Sequence, residues 1–542
     1  MNRKHTPDEL NTMSREELVT IILSMQGQLD ALNENIEKLI EQVRIANQHR
    51  FGRHTETLSS IEGQLSFFDE ADALYNASAP EPEEDDVIPP KPKKKKTKGQ
   101  RETDLKDFPE DIIPAHTVSA EVLDSFYGRG YWRQLPGETY KRLRHEPESW
   151  TVELHTVDVF VGTDGEHQDE FLRGDRPKDL FRNSIATPSL LASILNVKYV
   201  NSAPLNRIEQ EFSRNGVNLS RQTMANWIIN SSNRYFAPLV KRMRQELLKL
   251  PVTESDETPA QVIHDDRAAG SKSYMWVHRS GEFFREKPIV IYEYQKGRNH
   301  ELPLAFYQDY KGILVTDSLE QYQLIEKKLP ELTNANCWAH ARRDYADAIK
   351  AADKSAPDAL RRSAAYQALS RISQIYKLEG ALKNLPPQER LKERHDSIKP
   401  LVEEYFAWVK KQLEEGSVPP KSKTADGLRY SVNQEKYLKV FLTDGNVPID
   451  NSASERSIRT FCIGKKNWMF HDSVMGAQAS AVIYSISETA KLNNLRPYYY
   501  FKYLLTELPK FCDDNGNIDP AGLDHLLPWA EELPEECRKP RH

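Results

Sequence analysis

Cysteine is scarce in this chain: Cys337, Cys462, Cys512 and Cys537 are the only four in 542 residues, and no two form a CxxC pair. That speaks against a disulfide-framed secreted fold and against a compact zinc knuckle, leaving reduced, partly buried thiols. Long apolar runs are also missing, since none approaches the roughly 20 residues needed to cross a bilayer. The first residues lack the basic-then-apolar order of a signal peptide, so a cytoplasmic, nucleoid-associated protein with no membrane partner is expected. A net positive charge is absent as well. The formal charge is -7, but phosphate affinity depends on where positive charge lies. The acidic residues gather in Glu81–Asp86 and the C-terminal tail, away from the basic segments, so the sum decides little. A hydrophobic fraction of 38% and a mean hydropathy of -0.68 fit a soluble chain with polar linkers. Its length exceeds one core and suggests three or four units at roughly 100–200 residues each.

What is present begins with a heptad seam. Leu18, Ile22, Met25, Leu29, Leu32, Ile36, Leu39 and Val43 follow at alternating spacings of 4 and 3, and Ser14 with Glu17 offers a capping box. This predicts an N-terminal coiled coil over 14–47 and a homo-oligomer, a dimer or higher; a lone amphipathic helix packed on a core is the alternative. Residues 77–103 lose apolar periodicity and read as a disordered linker, acidic first, then basic through Lys91, Lys93, Lys94, Lys95, Lys96, Lys98 and Arg101. That basic run fits solvated charge and sequence-independent DNA contact equally well. Alternation within 104–182, as in Thr151–Val161, suggests a small β-containing module. A helical block follows over 183–250. Leu205–Arg214 ends at Asn215-Gly216, and Ser220 caps a further helix from Arg221. Helix, short turn and helix outline a helix-turn-helix, with Arg221, Gln222, Thr223 and Asn226 placed for base edges and phosphates. Many helical hairpins bind nothing.

After Leu250 the pattern changes to strands. The order read is β-β-β-α-β-α-β, with strands at Val252–Ile263, Tyr274–Arg279, Pro288–Tyr294, Gly312–Thr316 and about Ala335–Ala339. That is the layout of an RNase H-like mixed sheet covered on both faces. Asp256 falls on the first strand and Asp317 at the C-terminal end of the fourth, which such a layout makes neighbours. Two adjacent carboxylates repel unless cations lie between them, and hard divalent ions suit oxygen ligands. A third acid, Glu455, lies in the first turns of a helix that Asp450 or Ser452 could cap. Arg456 and Arg459 share that helix, and Lys465, Lys466, Asn467 and Trp468 follow, suited to a phosphate backbone and an unpaired base. His340, Arg342 and Arg343 open a helix after the fifth strand, either solvated or beside DNA. A chain with 81 acidic residues offers many chance carboxylate triads, so spacing alone suggests a metal site without establishing one.

These residues carry a resemblance. Ser255-Asp256-Glu257-Thr258-Pro259, Thr316-Asp317-Ser318, Cys337-Trp338-Ala339-His340-Ala341-Arg342-Arg343 and the run from Asp450-Asn451 through Glu455-Arg456 to Gly464-Lys465-Lys466-Asn467-Trp468 resemble a transposase of the insertion sequence 66 family. Ala481–Ser485, Glu488–Asn493, Ala186–Leu191, Lys198-Tyr199-Val200 and Leu219-Ser220-Arg221 match in order as well, so the resemblance spans nearly the whole chain.

The resemblance implies DDE chemistry: Asp256, Asp317 and Glu455 as catalytic residues and ligands of two Mg²⁺ ions, with Mn²⁺ as a substitute. Water would expose a 3′-hydroxyl at the transposon end, and that hydroxyl would attack target DNA. Implied partners are double-stranded DNA with terminal inverted repeats, target DNA, and small accessory proteins of the same element. The expected architecture is multidomain α/β: the coiled coil, a helical DNA-binding block, and an RNase H-like mixed-sheet catalytic core over 251–348 and 444–475. A helical insertion at 349–443 interrupts the core, and a helical segment and tail at 476–542 follow it. Relatives carry a cysteine-rich zinc module ahead of the helical block. The corresponding stretch here, about 112–171, has no cysteine, and its histidines lack metal-ligand spacing, so no zinc is expected there. Two other readings remain: a structure-selective nuclease with the same sheet, and a domesticated, non-catalytic DNA-binding protein.

Overall fold

A computed structural model of the chain describes residues 180–540 apart from 182–183, 269–270, 353–356, 514–517 and 519–521. It also describes two short strands upstream and scattered helical positions between Ser14 and Gln26. Most of the predicted coiled-coil seam, the 77–103 linker and nearly all of the 104–182 module lie outside the described residues. The chain divides into two compact units. The smaller, Ser78–Lys178 with the last three residues, is described through strands β1 (Val159–Val161) and β2 (Phe171–Arg173), paired antiparallel with Phe160 opposite Leu172. The elements from Asp179 to Lys539 belong to the larger unit.

Its first part is helical. Thr187 caps α1 (Pro188–Leu195) by accepting the Leu190 N–H, and Pro188 opens the helix where its missing N–H costs nothing. Helix α2 (Leu205–Arg214) stops at Asn215, and Gly216 takes the left-handed φ of 78° that turns the chain. Ser220 then caps α3 (Arg221–Ser231) through the Thr223 N–H. Helix α4 (Ala237–Leu247) leads to the sheet. The boundaries of α2 and the start of α3 agree with the sequence reading.

The sheet has five strands: β3 (Val252–Ala260), β5 (Ser273–Ser280), β6 (Val290–Gln295), β7 (Gly312–Thr316) and β8 (Leu332–Asn336), with β4 (Val262–His264) set apart after β3. Spatial order is β6-β5-β3-β7-β8. Strands β3, β5 and β6 pair antiparallel, whereas β7 runs parallel to both β3 and β8. The sheet is therefore mixed, with β3 at its centre. Several strand boundaries differ from expectation: the third expected strand, β6, begins at Val290 rather than Pro288, and the fifth, β8, at Leu332 rather than about Ala335. The last strand ends at Asn336 rather than Ala339, because Trp338 already starts a helix, and the first breaks at Gln261. Beyond that break β4 pairs with β9 (His471–Ser473), Val262 opposite His471.

Short helices α5 (Glu301–Phe306) and α6 (Glu320–Lys328) connect the later strands. Four longer helices lie between the second and third candidate acids: α7 (Trp338–Ala351), α8 (Ala364–Leu382), α9 (Lys399–Glu414) and α10 (Lys423–Asn433). They close around their own core of Trp338, Tyr345, Leu369, Ile372, Tyr405 and Phe406. Helix α11 (Ser452–Trp468) then returns to β3, and α12 (Val474–Leu492) packs on edge strand β6, followed by α13 (Pro497–Glu507). The outward edge of β6 would otherwise leave N–H groups unpaired. Thr489 and Ser485 of α12 accept the Val290 and Tyr292 N–H groups at 3.0 and 2.8 Å, which blunts that edge. Among the described residues no helix is long and apolar enough to cross a membrane.

Candidate active site

The central strand is the most polar one, although Thr253, Glu254 and Ser255 are fully buried. A strand so placed normally carries Val and Ile, so this sequence departs from what packing alone would favour. Alternation sorts its side chains. Glu254, Asp256 and Thr258 share one face, and Ser255 and Glu257 the other. Ser255 Oγ donates to Val277 O and meets His278 Nδ1, while Tyr322 of α6 donates to Ser255 Oγ and, at 2.9 Å, to Glu257. Arg298 clamps the same Glu257 carboxylate through Nε at 2.8 Å.

Asp317 follows the last residue of β7. The parallel register pairs Glu254 with Val315, and continuing it by two residues sets Asp256 opposite Asp317. Glu455 comes from α11, whose start is tied to the middle of β3 and to the residue that follows β8. Asn451 donates its side-chain amide to Ser255 O at 2.8 Å and its backbone N–H to Cys337 Sγ at 3.2 Å. Trp338 N–H reaches Ile449 O, and Cys337 N–H reaches Thr316 O. From β5, Arg279 donates to Ala453 O at 2.7 Å and to Ser457 Oγ, fixing the first turns of the helix that carry Glu455. The expected cap is corrected accordingly. Asn451 is the residue flanking the helix, with its side chain committed to β3, while Asp450 accepts the Ser452 N–H.

The electrostatics are those of crowded anions. Burial, then Glu257, Asp317 and Glu455 in turn, push the Asp256 carboxyl well above the usual range. Burial likewise raises Asp317, against an accepted Leu319 N–H and the nearby cations Arg298 and Arg343. Glu254 is pushed up to about 7 by burial, partly opposed by Arg279. Arg298, Arg343 and Arg279 offset only part of this repulsion, since burial and neighbouring acids still hold Asp256 and Asp317 above the usual range, and divalent cations with oxygen ligands would supply the remaining positive charge. The donor set therefore fits a hard metal. The three carboxylates do not converge on one point. Among the described residues, the three donor groups that gather within 4.8 Å are Cys337, His340 and Glu455. His340 Nδ1 lies 4.0 Å from Glu455 Oε1, and burial, helped by Arg343, lowers its pKa to about 4, so the ring is neutral beside the acid.

The remaining predicted residues are spread over three places. Arg221, Gln222 and Asn226 are exposed on the first turns of α3, with Gln222 bonded to Asn226 and Thr223 partly covered by its bond to Ser220. Arg343 is exposed near Asp317, whereas Arg342 is turned over the Tyr376 ring. Along α11, Arg459 and Lys466 are exposed and Arg456 is paired with Glu282 at 3.0 Å. Lys465 folds back onto Pro259 O, and Asn467 donates to Ser202 O. Trp468, expected to meet an unpaired base, is instead partly buried and packs edge-on against Phe461 with its centroid 4.4 Å from that of His471. Arg298 and Glu254 were not named from sequence, and Asn451 and Glu257 appeared only within resembling stretches, with no role of their own. Strand alternation could have flagged Glu254, which shares a face with Asp256; Arg298 and Asn451 leave no local sign.

Residues 183–479 match the family model described as transposase IS66 family, residues 485–529 the IS66 C-terminal element, and residues 38–113 a model described as transposase C of IS166 homeodomain. Similar curated proteins include three uncharacterized proteins of Sinorhizobium fredii (strain NBRC 101917 / NGR234). One, y4qI, is 26% identical over 68% of this chain and 66% of its own length; y4hP is 27% identical over 63% and 62%. The third, y4jD, is 25% identical over 66% and 68%. The chain thus spans just under two thirds of the length of the first two relatives. A family model covering more than half of the sequence, with the C-terminal and N-terminal models on either side, shows that this chain belongs to the IS66 family of transposases.

Proposed function

We propose that the protein is a DDE transposase that cleaves transposon ends and joins the exposed 3′-hydroxyl to target DNA, with Asp256, Asp317 and Glu455 as its catalytic carboxylates. The observation that carries this reading is the place of half-buried Asp256 on the central strand, where the parallel register with β7, continued by two residues, sets it opposite Asp317. An RNase H-like core is consistent with the strand order and with ligand binding at the C-terminal ends of adjacent parallel strands.

Asp256, Asp317 and Glu455 would hold two divalent cations, Mg²⁺ or Mn²⁺. When bound, these ions neutralise charge on the phosphate and lower the pKa of the attacking hydroxyl. The chain's own groups do the positioning. Arg298 neutralises Glu257 so that this second acid stays buried under the site. Neutral His340 flanks Glu455, and Asn451 with Arg279 locks the start of α11 onto β3 and β5. Exposed Arg343, close enough to lower the pKa of Asp317, is placed to meet a phosphate. Held geometry and charge complementarity are the main sources of rate in phosphoryl transfer.

DNA ends would be recognised through Arg221, Gln222, Thr223 and Asn226, and strand backbone through Arg459, Lys466 and Arg343. Association of two or more copies through the 14–47 seam suits a reaction that joins two ends. The test compares wild type with Asp317→Asn on a labelled duplex carrying the inverted repeat that flanks the gene. An enzyme loses cleavage and keeps binding. Equal function in both would favour the domesticated binding protein, and cleavage without joining would favour a nuclease.

A further inference from the structure

Besides Val19, Ile22 and Leu23 near the N-terminus, one other group of exposed apolar side chains stands out among the described residues of this unit. Of the nine large hydrophobics that stand exposed among the described residues, Ile263 lies on β4, Met469 and Phe470 in the turn before β9, and Met475 in the first turn of α12 just after it. Met469, 64% exposed, holds a positive φ of 67°, and the Phe470 N–H bonds back to Trp468 O at 2.8 Å. A non-glycine residue in that conformation is costly and persists where its surroundings impose it. Here they do. Trp468 is wedged against Phe461 and His471, Asn467 is tied to Ser202, and Gly464 lets α11 approach Tyr484 so closely that a Cβ would stand 2.4 Å from its hydroxyl. The tip is thus a rigid turn presenting apolar groups to solvent.

Its position relative to the carboxylates is fixed by α11. Glu455, Arg459, Cys462 and Lys466 follow at spacings of 4, 3 and 4, so they form one stripe along the helix. The stripe leads from the catalytic carboxylate past two exposed cations to the turn at Met469. At about 1.5 Å per residue the tip lies roughly 20 Å from Glu455. A duplex following this cationic stripe, with about 3.4 Å per base pair, would meet the tip about six base pairs from the scissile phosphate.

We propose that Met469 and Phe470 form an apolar wedge that inserts at a base step of the bound transposon end, about six base pairs inside the cleavage point, and unstacks it. This rests on the transposase reading above. Phe, Met and Ile are the residues that partially unstack and kink duplexes in this manner. The flanking Arg459 and Lys466 favour a polyanion over a second copy of the chain as the occupant.

The experiment uses the full chain with Asp317→Asn, so that DNA is bound and not cut, and a duplex of the flanking inverted repeat with 2-aminopurine at single positions. A fluorescence rise of several-fold is expected near the sixth base pair and not at a position one helical turn further in. Adding Phe470→Ala abolishes the rise, weakens binding roughly tenfold, and leaves the sedimentation coefficient and circular dichroism unchanged. An undiminished rise in Phe470→Ala, bound DNA without a rise at any position, or a lowered oligomeric state in Phe470→Ala overturns the wedge; the last would make the tip a protein interface. Failure of the transposase reading shows separately, as absence of metal-dependent cleavage of the same duplex by wild type. Absence of binding to any duplex overturns both.

Discussion

Replacing Arg394 should loosen the segment that delivers Asn451 and Glu455. Arg394 is fully buried and uses its whole guanidinium: Nε and Nη2 grip Glu379, Nη1 donates to Phe441 O at 2.7 Å and Asp444 O at 3.0 Å, and Nη2 donates to Val447 O at 2.9 Å. The three carbonyls belong to the stretch that runs into Ile449 and then Asn451. Arg394→Met leaves Glu379 buried without its partner, a loss of about 3–5 kcal/mol in comparable buried pairs. It also strands three carbonyls at about 1–3 kcal/mol each if they stay dry. These losses do not add fully, because local opening admits water, so the expected destabilisation is at least about 4 kcal/mol. That is a large share of the roughly 5–15 kcal/mol that holds a typical domain. Hydrogen exchange across 440–455 reads it locally: protection there should fall by about a thousandfold while β5 and β6 stay protected. Glu379→Leu added to Arg394→Met removes the orphaned charge but not the orphaned carbonyls, so it should recover part of the loss. A change in Arg394→Met of less than about 1 kcal/mol, or one spread evenly over the unit, would refute the reasoning.

Three further outcomes follow from the same geometry. Asp256→Asn removes a half-buried, repelled carboxyl whose pKa is raised in the fold, so the native state keeps a proton that the unfolded chain releases. Metal-free stability should therefore fall as pH rises above the ordinary carboxylate range, Mg²⁺ should restore more at pH 8 than at pH 6, and Asp256→Asn should be more stable without metal and insensitive to it in a thermal melt. His471 is held neutral, its pKa lowered to about 3 by burial and then by Lys198. Its contribution is complete above about pH 6.5 and is lost at about 1.4 kcal/mol per pH unit as pH falls toward 3; His471→Leu should flatten that acid limb in urea titrations. Gly464→Ala places a methyl 2.4 Å from Tyr484 Oη and 3.0 Å from Trp468 Nε1. It should destabilise by about 1–3 kcal/mol despite Ala's better helix propensity, and a melt equal to wild type would show that α11 can shift.

The elements most legible in the sequence were those with local punctuation. Ser220 before Arg221, Asn215-Gly216 after Arg214, and the apolar run of Gly312–Thr316 ending at Asp317 each carry their own boundary. Long-range pairing left no such mark. The break of the central strand at Gln261 makes sense only with His471–Ser473, some 210 residues on. The end of β8 was misplaced because Cys337-Trp338-Ala339 is apolar and reads equally as strand or helix start. Trp468 was read as an exposed aromatic because a Lys-Lys-Asn-Trp run looks solvated, whereas Phe461, seven residues earlier, shares its helix face and draws it inward. Arg298 and Asn451 act through tertiary contacts with β3 that sequence spacing cannot reveal. The acids themselves were visible as residue types; what the fold adds is the burial that makes an unneutralised set of them costly.

The central claim is that these carboxylates transfer a DNA strand through its 3′-hydroxyl. The most direct measurement is joining of a pre-cleaved transposon end to target DNA in Mg²⁺, comparing an end that terminates in a 3′-hydroxyl with one that terminates in a 2′,3′-dideoxynucleotide. Joined product is expected from the hydroxyl end with wild type. None is expected from the dideoxy end, none with Asp256→Asn, Asp317→Asn or Glu455→Gln, and none in chelator. Joining by any of those three variants, or joining of the dideoxy end, would contradict that claim.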